Sequence, residues 1–407
     1  MAATATFEYQ VRDRAGKLVK GKIDAESPAA VATKLTSMGY APVSIEQAGT
    51  GLNREINIPG FGEKVKLADL AVMCRQFATM INSGLTLLRA LTILEEQTQN
   101  KALAKVVGEV RADVEVGSSL SASLAKHEDV FPPLMINMIK AGELGGFLDS
   151  TLLQIAANFE AEVKLRQKVK SAMTYPVVVL VMAILALTAM LLFIVPVFEG
   201  LFTSLGGELP LPTRILVALS SLLKLLSPVI LVALVVGGIM WRKYKRHPKV
   251  RDVVDPMKLK MPVFGSLFQK IALSRFSRNL GSMIAAGVPI LQALDIVGDT
   301  SGNVVIARAV ADVKESVRTG ESLARPLTQH DVFPPMVVQM MAVGEDTGSL
   351  DTMLAKISEF YDQEVEATTE ALTSLIEPIM IAVVGGLIGA MLIALYMPIF
   401  KVFELVK

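Results

Sequence analysis

Phe131-Pro-Pro-Leu-Met-Ile-Asn-Met-Ile-Lys-Ala-Gly-Glu-Leu-Gly-Gly-Phe-Leu-Asp149 returns later in the chain as Phe333-Pro-Pro-Met-Val-Val-Gln-Met-Met-Ala-Val-Gly-Glu-Asp-Thr-Gly-Ser-Leu-Asp351. The register of this repeat reaches well beyond the quoted pair. Arg75 and Arg278, Gly84 and Gly287, Asn100 and Asn303, Gly117 and Gly320, and His127 and His330 are each 203 positions apart. After a one-residue deletion the spacing is 202, which holds for Gly142 and Gly344, Glu143 and Glu345, Gly146 and Gly348, Asp149 and Asp351, and Pro176 and Pro378. Chance matches do not hold register in this way, so the chain contains a duplicated structural unit.

Within each copy the apolar residues recur at helical spacing. Leu103, Val106, Val107, Val110 and Val114 fall on one face while Lys105, Glu109, Arg111 and Asp113 lie off it. Breaks at Gly, Ser and Pro divide the first copy into six helices, 67–82, 87–97, 101–116, 119–126, 132–141 and one from 148 onward. The second copy follows suit with 271–286, 289–299, 303–317, 322–328, 334–343 and 350–373. The prolines of the Phe-Pro-Pro stretch have a φ preset for a helix and no N–H to leave unpaired, so they are favourable at its start. Gly142 to Gly146 then ends that helix and turns the chain, and Asp149 enters the first turn of the next, where the helix dipole favours a carboxylate. Glu143 is expected to accept from free N–H groups at the same turn. Capping accounts for most of the motif; the alternative is that Glu143 with Asp149, and Glu345 with Asp351, meet a partner or a divalent cation, for which two carboxylates without further oxygen ligands are a weak signal.

Hydrophobic residues make up 52% of the 407 and the mean hydropathy is +0.49, which points to a membrane. Residues 176–195 carry no charge over 20 positions, enough to cross a hydrocarbon core, and 378–400 is the uncharged counterpart in the second copy. A further apolar segment covers 225–240, extended back towards Ser220, with Lys224 placed to snorkel. Gly385 and Gly389 form a GxxxG surface on the last span, a candidate for close helix packing. Lys164, Arg166, Lys168 and Lys170 precede the first span, and Arg242, Lys243, Lys245, Arg246, Lys249 and Arg251 follow the second, while 196–213 has no Lys or Arg. This bias puts both helical units in the cytoplasm and the C-terminus outside; Lys401 and Lys407 at the third span give it less support.

Ahead of the repeat, strand-like segments at 4–12 and 18–25 flank a turn at 13–17. A helix capped by Ser27-Pro28 follows, and then a strand at 41–46. No basic n-region precedes an apolar run, so no cleavable signal peptide is expected. The expected fold is therefore a mainly α membrane protein with two repeated cytoplasmic six-helix bundles, three transmembrane helices and a small N-terminal ββαβ module. The expected boundaries are 1–48 for that module, 49–65 linker, 66–171 bundle one, 172–195 first span, 196–214 short extracytoplasmic loop, 215–241 second span, 242–266 basic cytoplasmic linker, 267–374 bundle two, 375–400 third span and 401–407 extracytoplasmic tail.

The formal net charge of +1 argues against a nucleic-acid binder. Cys74 alone supports neither an intrachain disulfide nor a cysteine zinc site, and is expected to be a buried apolar residue. His127, His330 and His247 have no catalytic company, and GxxxxGK[ST], HExxH and GxSxG are missing from the sequence. An enzyme is not expected, nor is any cofactor or metal. A small-solute transporter would need ionisable groups near the bilayer midplane and repeats built of membrane helices, whereas this repeat is mainly soluble; it and a membrane-anchored enzyme stay as alternatives.

At this point the chain resembles the platform proteins of type IV pilus assembly and type II secretion, the PilC or GspF family. The likeness rests on Phe7-Glu-Tyr to Ile45, Arg75-Gln76-Phe77 to Ser83-Gly84-Leu85-Thr86-Leu87, its echo from Arg278 to Ala286-Gly287-Val288-Pro289, the two GE-x-x-G-x-LD motifs and the spans led by Pro176 and Pro378. The resemblance implies a non-enzymatic multi-pass inner-membrane protein that couples a cytoplasmic hexameric ATPase to the addition or removal of pilin or pseudopilin subunits. It also implies other inner-membrane assembly proteins as neighbours and a homo-oligomer, and it spans pilus extension, retraction, competence and secretion alike. The motif residues Arg75, Gly84, Gly142, Glu143, Gly146 and Asp149, with Arg278, Gly287, Gly344, Glu345, Gly348 and Asp351, are the candidate partner contacts.

Overall fold

The computed structural model describes residues 5–12, 18–25, 28–37, 40–47, 64–204, 209–244 and 247–405. The expected turn at 13–17, the Ser27 cap, the stop at Gly39, most of the 49–65 linker, and Lys245, Arg246 and Lys407 lie outside the described residues. The chain divides into two units, Met1–Glu63 and Lys64–Lys407.

In the first unit β1 (Ala5–Arg12) is the centre of a three-stranded antiparallel sheet, flanked by β2 (Leu18–Ala25) and β3 (Ala41–Gln47). Ala5 pairs with Ala25 and Arg12 with Leu18, while the β1–β3 register shifts between Gln10 and Val11, next to Pro42. A proline cannot donate to a ladder, and an edge strand such as β3 is where the sheet tolerates one. Helix α1 (Pro28–Ser37) packs against the sheet and buries Val31 and Leu35.

The second unit begins with α2 (Leu67–Asn82), α3 (Leu87–Gln97), α4 (Lys101–Glu115), α5 (Leu120–Ala125), α6 (Pro133–Gly145) and α7 (Leu148–Ala189). After α7 come a π turn at Met190–Ile194, α8 (Val195–Ser204), α9 (Leu211–Tyr244) and α10 (Pro248–Lys260). The second copy is α11 (Phe264–Ala285), α12 (Ile290–Thr300), α13 (Val304–Arg318), a 3-10 turn at Arg325–Gln329, α14 (Pro335–Thr347) and α15 (Leu350–Leu405). The helical period explains the core: Leu103, Val107 and Val110 of α4 are buried with Phe77, Phe131, Met135 and Ile139, and Ile306, Val310 and Val313 of α13 with Phe276, Val337 and Met341. Phe276 and Phe333 meet edge to face at 5.2 Å, a favoured aromatic geometry.

Four expectations are corrected. The helix expected at 322–328 is the 3-10 turn: Pro326 stands where Ser123 of α5 donates its N–H to Ser119 O at 3.0 Å, and a proline has no N–H to give. The expected linker 242–266 is largely α10, packed on α11 and α13, with Asp255 buried and accepting from Lys258 Nζ at 3.0 Å and from Val304 N at 3.3 Å. Val263 takes φ 72° to turn α10 into α11, and a Cβ on Gly265 would lie 2.2 Å from Leu259 O, so position 265 admits no side chain. The loop expected at 196–214 is mostly helix, because the π turn before Pro196 absorbs the missing donor and the helix runs on to Ser204. The tail expected from 401 continues α15 to Leu405.

Three helices are long and apolar enough to cross a membrane, Leu148–Leu201, Leu211–Tyr244 and Leu350–Pro398. The first and third run parallel: Lys168 pairs with Glu366, Leu165 packs with Val365 and Leu372, and Leu191 and Val195 pack with Met391 and Leu395. Helix α9 returns in the opposite sense and is held by Ser220 Oγ donating to Leu191 O and Thr213 Oγ1 donating to Ala394 O. Pro176 and Pro378 lie inside continuous helices rather than at helix starts.

Candidate functional site

Each GE-x-x-G-x-LD motif is the corner between a bundle helix and the long helix that runs into the membrane segment. A Cβ on Gly142 would lie 2.6 Å from Thr151 Oγ1 and 3.3 Å from Leu148 Cα, and one on Gly344 would lie 3.0 Å from Leu350 Cα. The first glycine is therefore the place where two helix backbones cross without room for a side chain. Gly146 and Gly348 take φ 74° and 68°, the left-handed conformation that ends a helix, and Phe147 N and Ser349 N donate back to Gly142 O and Gly344 O at 3.0 and 2.9 Å. Asp149 and Asp351 then sit in the first turns of α7 and α15.

Glu143 does not serve its own turn, contrary to expectation. Its carboxylate reaches the start of α5 and accepts from Leu120 N at 2.5 Å, Ser121 N at 2.9 Å and Ser121 Oγ at 2.5 Å. Glu345 repeats this with Leu323 N at 2.7 Å, Ala324 N at 3.2 Å and Ser322 Oγ at 2.8 Å. Each glutamate thus closes its bundle by capping the start of a short segment 20 or so residues earlier with charge-assisted bonds. Both oxygens of each carboxylate are engaged within the chain. Among the described residues no group of three or more His, Cys, Asp or Glu side chains is placed to hold a metal ion.

Arg75 and Arg278 are brought to a different place, the seam between α2 and α7 in one copy and between α11 and α15 in the other. Arg75 makes a two-pronged pair with Glu160, Nε to Oε1 and Nη2 to Oε2 both at 2.6 Å, and that bond raises its pKa above the ordinary value. Arg278 binds both oxygens of Asp362, donates from Nη2 to Ser274 Oγ at 3.1 Å and lies 3.7 Å from Glu162. The side chain of Arg75 is 41% exposed and that of Arg278 8%, with Arg278 Nη1 buried and without a hydrogen-bond partner. The sequence reading named both arginines and missed their partners; the signal was there, since Glu160 and Asp362 are acidic residues 202 positions apart.

Gly84 and Gly287 take φ 85° and 69° at the ends of α2 and α11. His127 faces Glu109 at 3.5 Å and His330 faces Asp312 at 2.9 Å, a duplicated acid–imidazole pair at the base of each bundle. Gly385 and Gly389 have no atom within 4 Å of a built Cβ, so the described chain does not use that surface for close packing. Gly385 instead borders an apolar groove of about 270 Å³ between α7 and α15, with Tyr175 and Pro176 opposite.

The two copies meet through different faces. Asn158 on α7 donates to Asn279 Oδ1 at 3.3 Å and Ser282 Oγ at 3.1 Å on α11. Arg275 pairs with Glu162 at 2.8 Å, and Gln292 on α12 donates to Asn137 Oδ1 on α6 at 2.7 Å. A cleft of about 670 Å³ lies along this junction.

The family model for type II secretion system protein F matches residues 73–196 and again 276–398, and that for the protein's N-terminal domain matches 1–46. The chain is 43% identical over 397 residues to the type IV pilus assembly protein PilC of Thermus thermophilus, covering 97% of this chain and 98% of the relative. It is 42% identical over 399 residues to PilC of Myxococcus xanthus, covering 98% and 95%. To the type II secretion system protein F of Vibrio cholerae it is 31% identical over 405 residues, covering 99% and 100%.

Proposed function

The chain belongs to the type II secretion system protein F family, the inner-membrane platform proteins of pilus and secretion machinery, and on that premise we propose that it couples a cytoplasmic hexameric ATPase to the insertion or removal of pilin-like subunits. The observation that carries this reading is continuity. α7 is one helix of 42 residues and α15 one of 56, so each leads without a break from a bundle corner into an apolar span. At 1.5 Å per residue α7 alone reaches roughly 60 Å, long enough to carry a displacement of the bundle to the bilayer. The motif corner sets the angle at which each long helix leaves its bundle.

In this reading both bundles and the N-terminal unit face the cytoplasm and the C-terminus faces outward, with α7 and α15 entering the bilayer in the same direction. The basic residues beyond α9 support that orientation, although Arg214, in the first turn of α9, places one cation at the opposite end. The ATPase and pilin-like subunits are the partners proposed, and no chemistry is assigned to the chain itself.

The test is to break the continuity alone. Inserting Gly-Pro after Ser171 is expected to leave the protein in the membrane and abolish fibre or pseudopilus assembly, because the bundle and the span no longer move together. Assembly at the normal level with this insertion would overturn the relay, and crosslinking of the bundles to the ATPase would locate the contact.

A further inference from the structure

The junction between the two copies uses one face of the first and a different face of the second. The first contributes α6 and α7 through Asn137, Asn158, Glu162 and Lys168; the second contributes α11, α12 and α15 through Arg275, Asn279, Ser282, Gln292 and Glu366. Because the copies are equivalent in sequence, each face has a counterpart that this junction leaves open. The counterpart of the first face is on α14 and α15, at Gln339, Phe360 and Glu370; that of the second is on α2, α3 and α7, at Val72, Thr79 and Arg89, with Lys164 on the edge of α7 between the α2–α7 groove and the junction cleft.

The open faces match each other. Lys168 pairs with Glu366 within the chain, and the equivalent positions are Glu370 and Lys164, so the charges are exchanged but still opposite. Both are exposed, with no ion-pair partner among the described residues. Gln292 donates to Asn137 within the chain, and the equivalents, Arg89 and Gln339, are again a donor and an amide acceptor, both exposed. Where the internal junction has polar Arg275 and Asn158, the open faces carry Val72 and Phe360, 59% and 41% exposed, and Val72 lines a groove of about 370 Å³ between α2 and α7.

We propose that a second copy of this chain lays its α14–α15 face, centred on Phe360, along the α2–α7 groove of the first, repeating between chains the contact that joins the two repeats within one. Such a contact is heterologous, and it closes into a ring or continues according to the rotation at each step. α7 and α15 are parallel, so successive copies keep all their long helices pointing the same way, as a membrane requires.

The experiment uses the full-length protein in native membranes, with two differently tagged versions co-expressed, one carrying Thr79→Cys and the other Phe360→Cys. Thr79 and Phe360 are the equivalents of Ser282 and Asn158. Mild oxidation is expected to give a product bearing both tags, at least ~tenfold above a Thr79→Cys and Leu144→Cys control, since one register brings one pair together. Lys164→Glu or Glu370→Lys alone is expected to lower that yield ~threefold, and the two combined in trans to restore it, the scale of an exposed ion pair turned repulsive. A yield equal to the control, a homodimer from Phe360→Cys alone, or indifference to the charge reversals would each overturn the proposal. The readout is separate from fibre assembly, so it stands or falls independently of the coupling role.

Discussion

Glu143 and Leu120 are 23 residues apart in sequence and joined by a 2.5 Å hydrogen bond from the Leu120 amide to the Glu143 carboxylate. The glutamate of the family motif is thereby a fastening within the bundle. Glu143→Ala strands the amides of Leu120 and Ser121 and is expected to cost about 1–3 kcal/mol, with Glu143→Gln losing less because one acceptor remains. Denaturant unfolding of the solubilised protein measures this, and adding Glu345→Ala should give a nearly additive loss, since the two carboxylates share no hydrogen-bond partner.

Gly146 sits at φ 74° with no atom within 4 Å of a built Cβ, so its constraint is conformational. Gly146→Asn is expected to be tolerated and Gly146→Val to destabilise by about 1–2 kcal/mol, since Asn enters the left-handed region far more readily than a β-branched residue. Gly142 is the opposite case, limited by space: Gly142→Ala should lower the melting temperature, and Thr151→Ala should recover part of the loss by removing the Oγ1 that the new methyl meets.

The two motif arginines should respond differently to the same change. Arg278→Met leaves the Asp362 carboxylate without its cation, while Glu162 keeps Arg275 and Arg166, and is expected to cost about 1.5–3 kcal/mol, the scale of hydrogen bonds to a charged group. Arg75→Met, at an exposed pair, is expected to cost about 1 kcal/mol or less. Equal losses in urea titrations of the two variants would show that burial is not what separates them.

Cys74 is fully buried with its sulfur 3.9 Å from Met135 Sδ, and burial pushes the thiol well above its ordinary pKa. The thiolate is the reactive form, so maleimide labelling of the native protein near neutral pH should be negligible and should become rapid on denaturation. Fast labelling of the folded protein would place Cys74 outside the core.

Much of this architecture is visible in the sequence because duplication leaves an arithmetic trace and amphipathic helices a periodic one. The corner glycines were readable as helix ends, and their left-handed φ values follow from that role. The partner of Glu143 was not readable, because capping between α6 and α5 depends on how the bundle closes and local spacing carries no record of it. The basic residues of α10 suggest a linker while Pro248 at its first helical position suggests a helix, and the burial of Asp255 depends on α13 arriving beside it. Pro326 was in plain view, and its effect needed comparison with Ser123 in the other copy. The open glycines of α15 show the limit of a motif: GxxxG marks a surface that permits close approach, and here no described helix takes it up.

The π turn at Met190–Ile194 has no counterpart in α15, which stays α-helical through the equivalent stretch. One residue beyond the α-helical count turns every later side chain about 100° around the axis. Two spans descended from one sequence therefore present unlike surfaces beyond that turn, so whatever packs along both meets a different face on each.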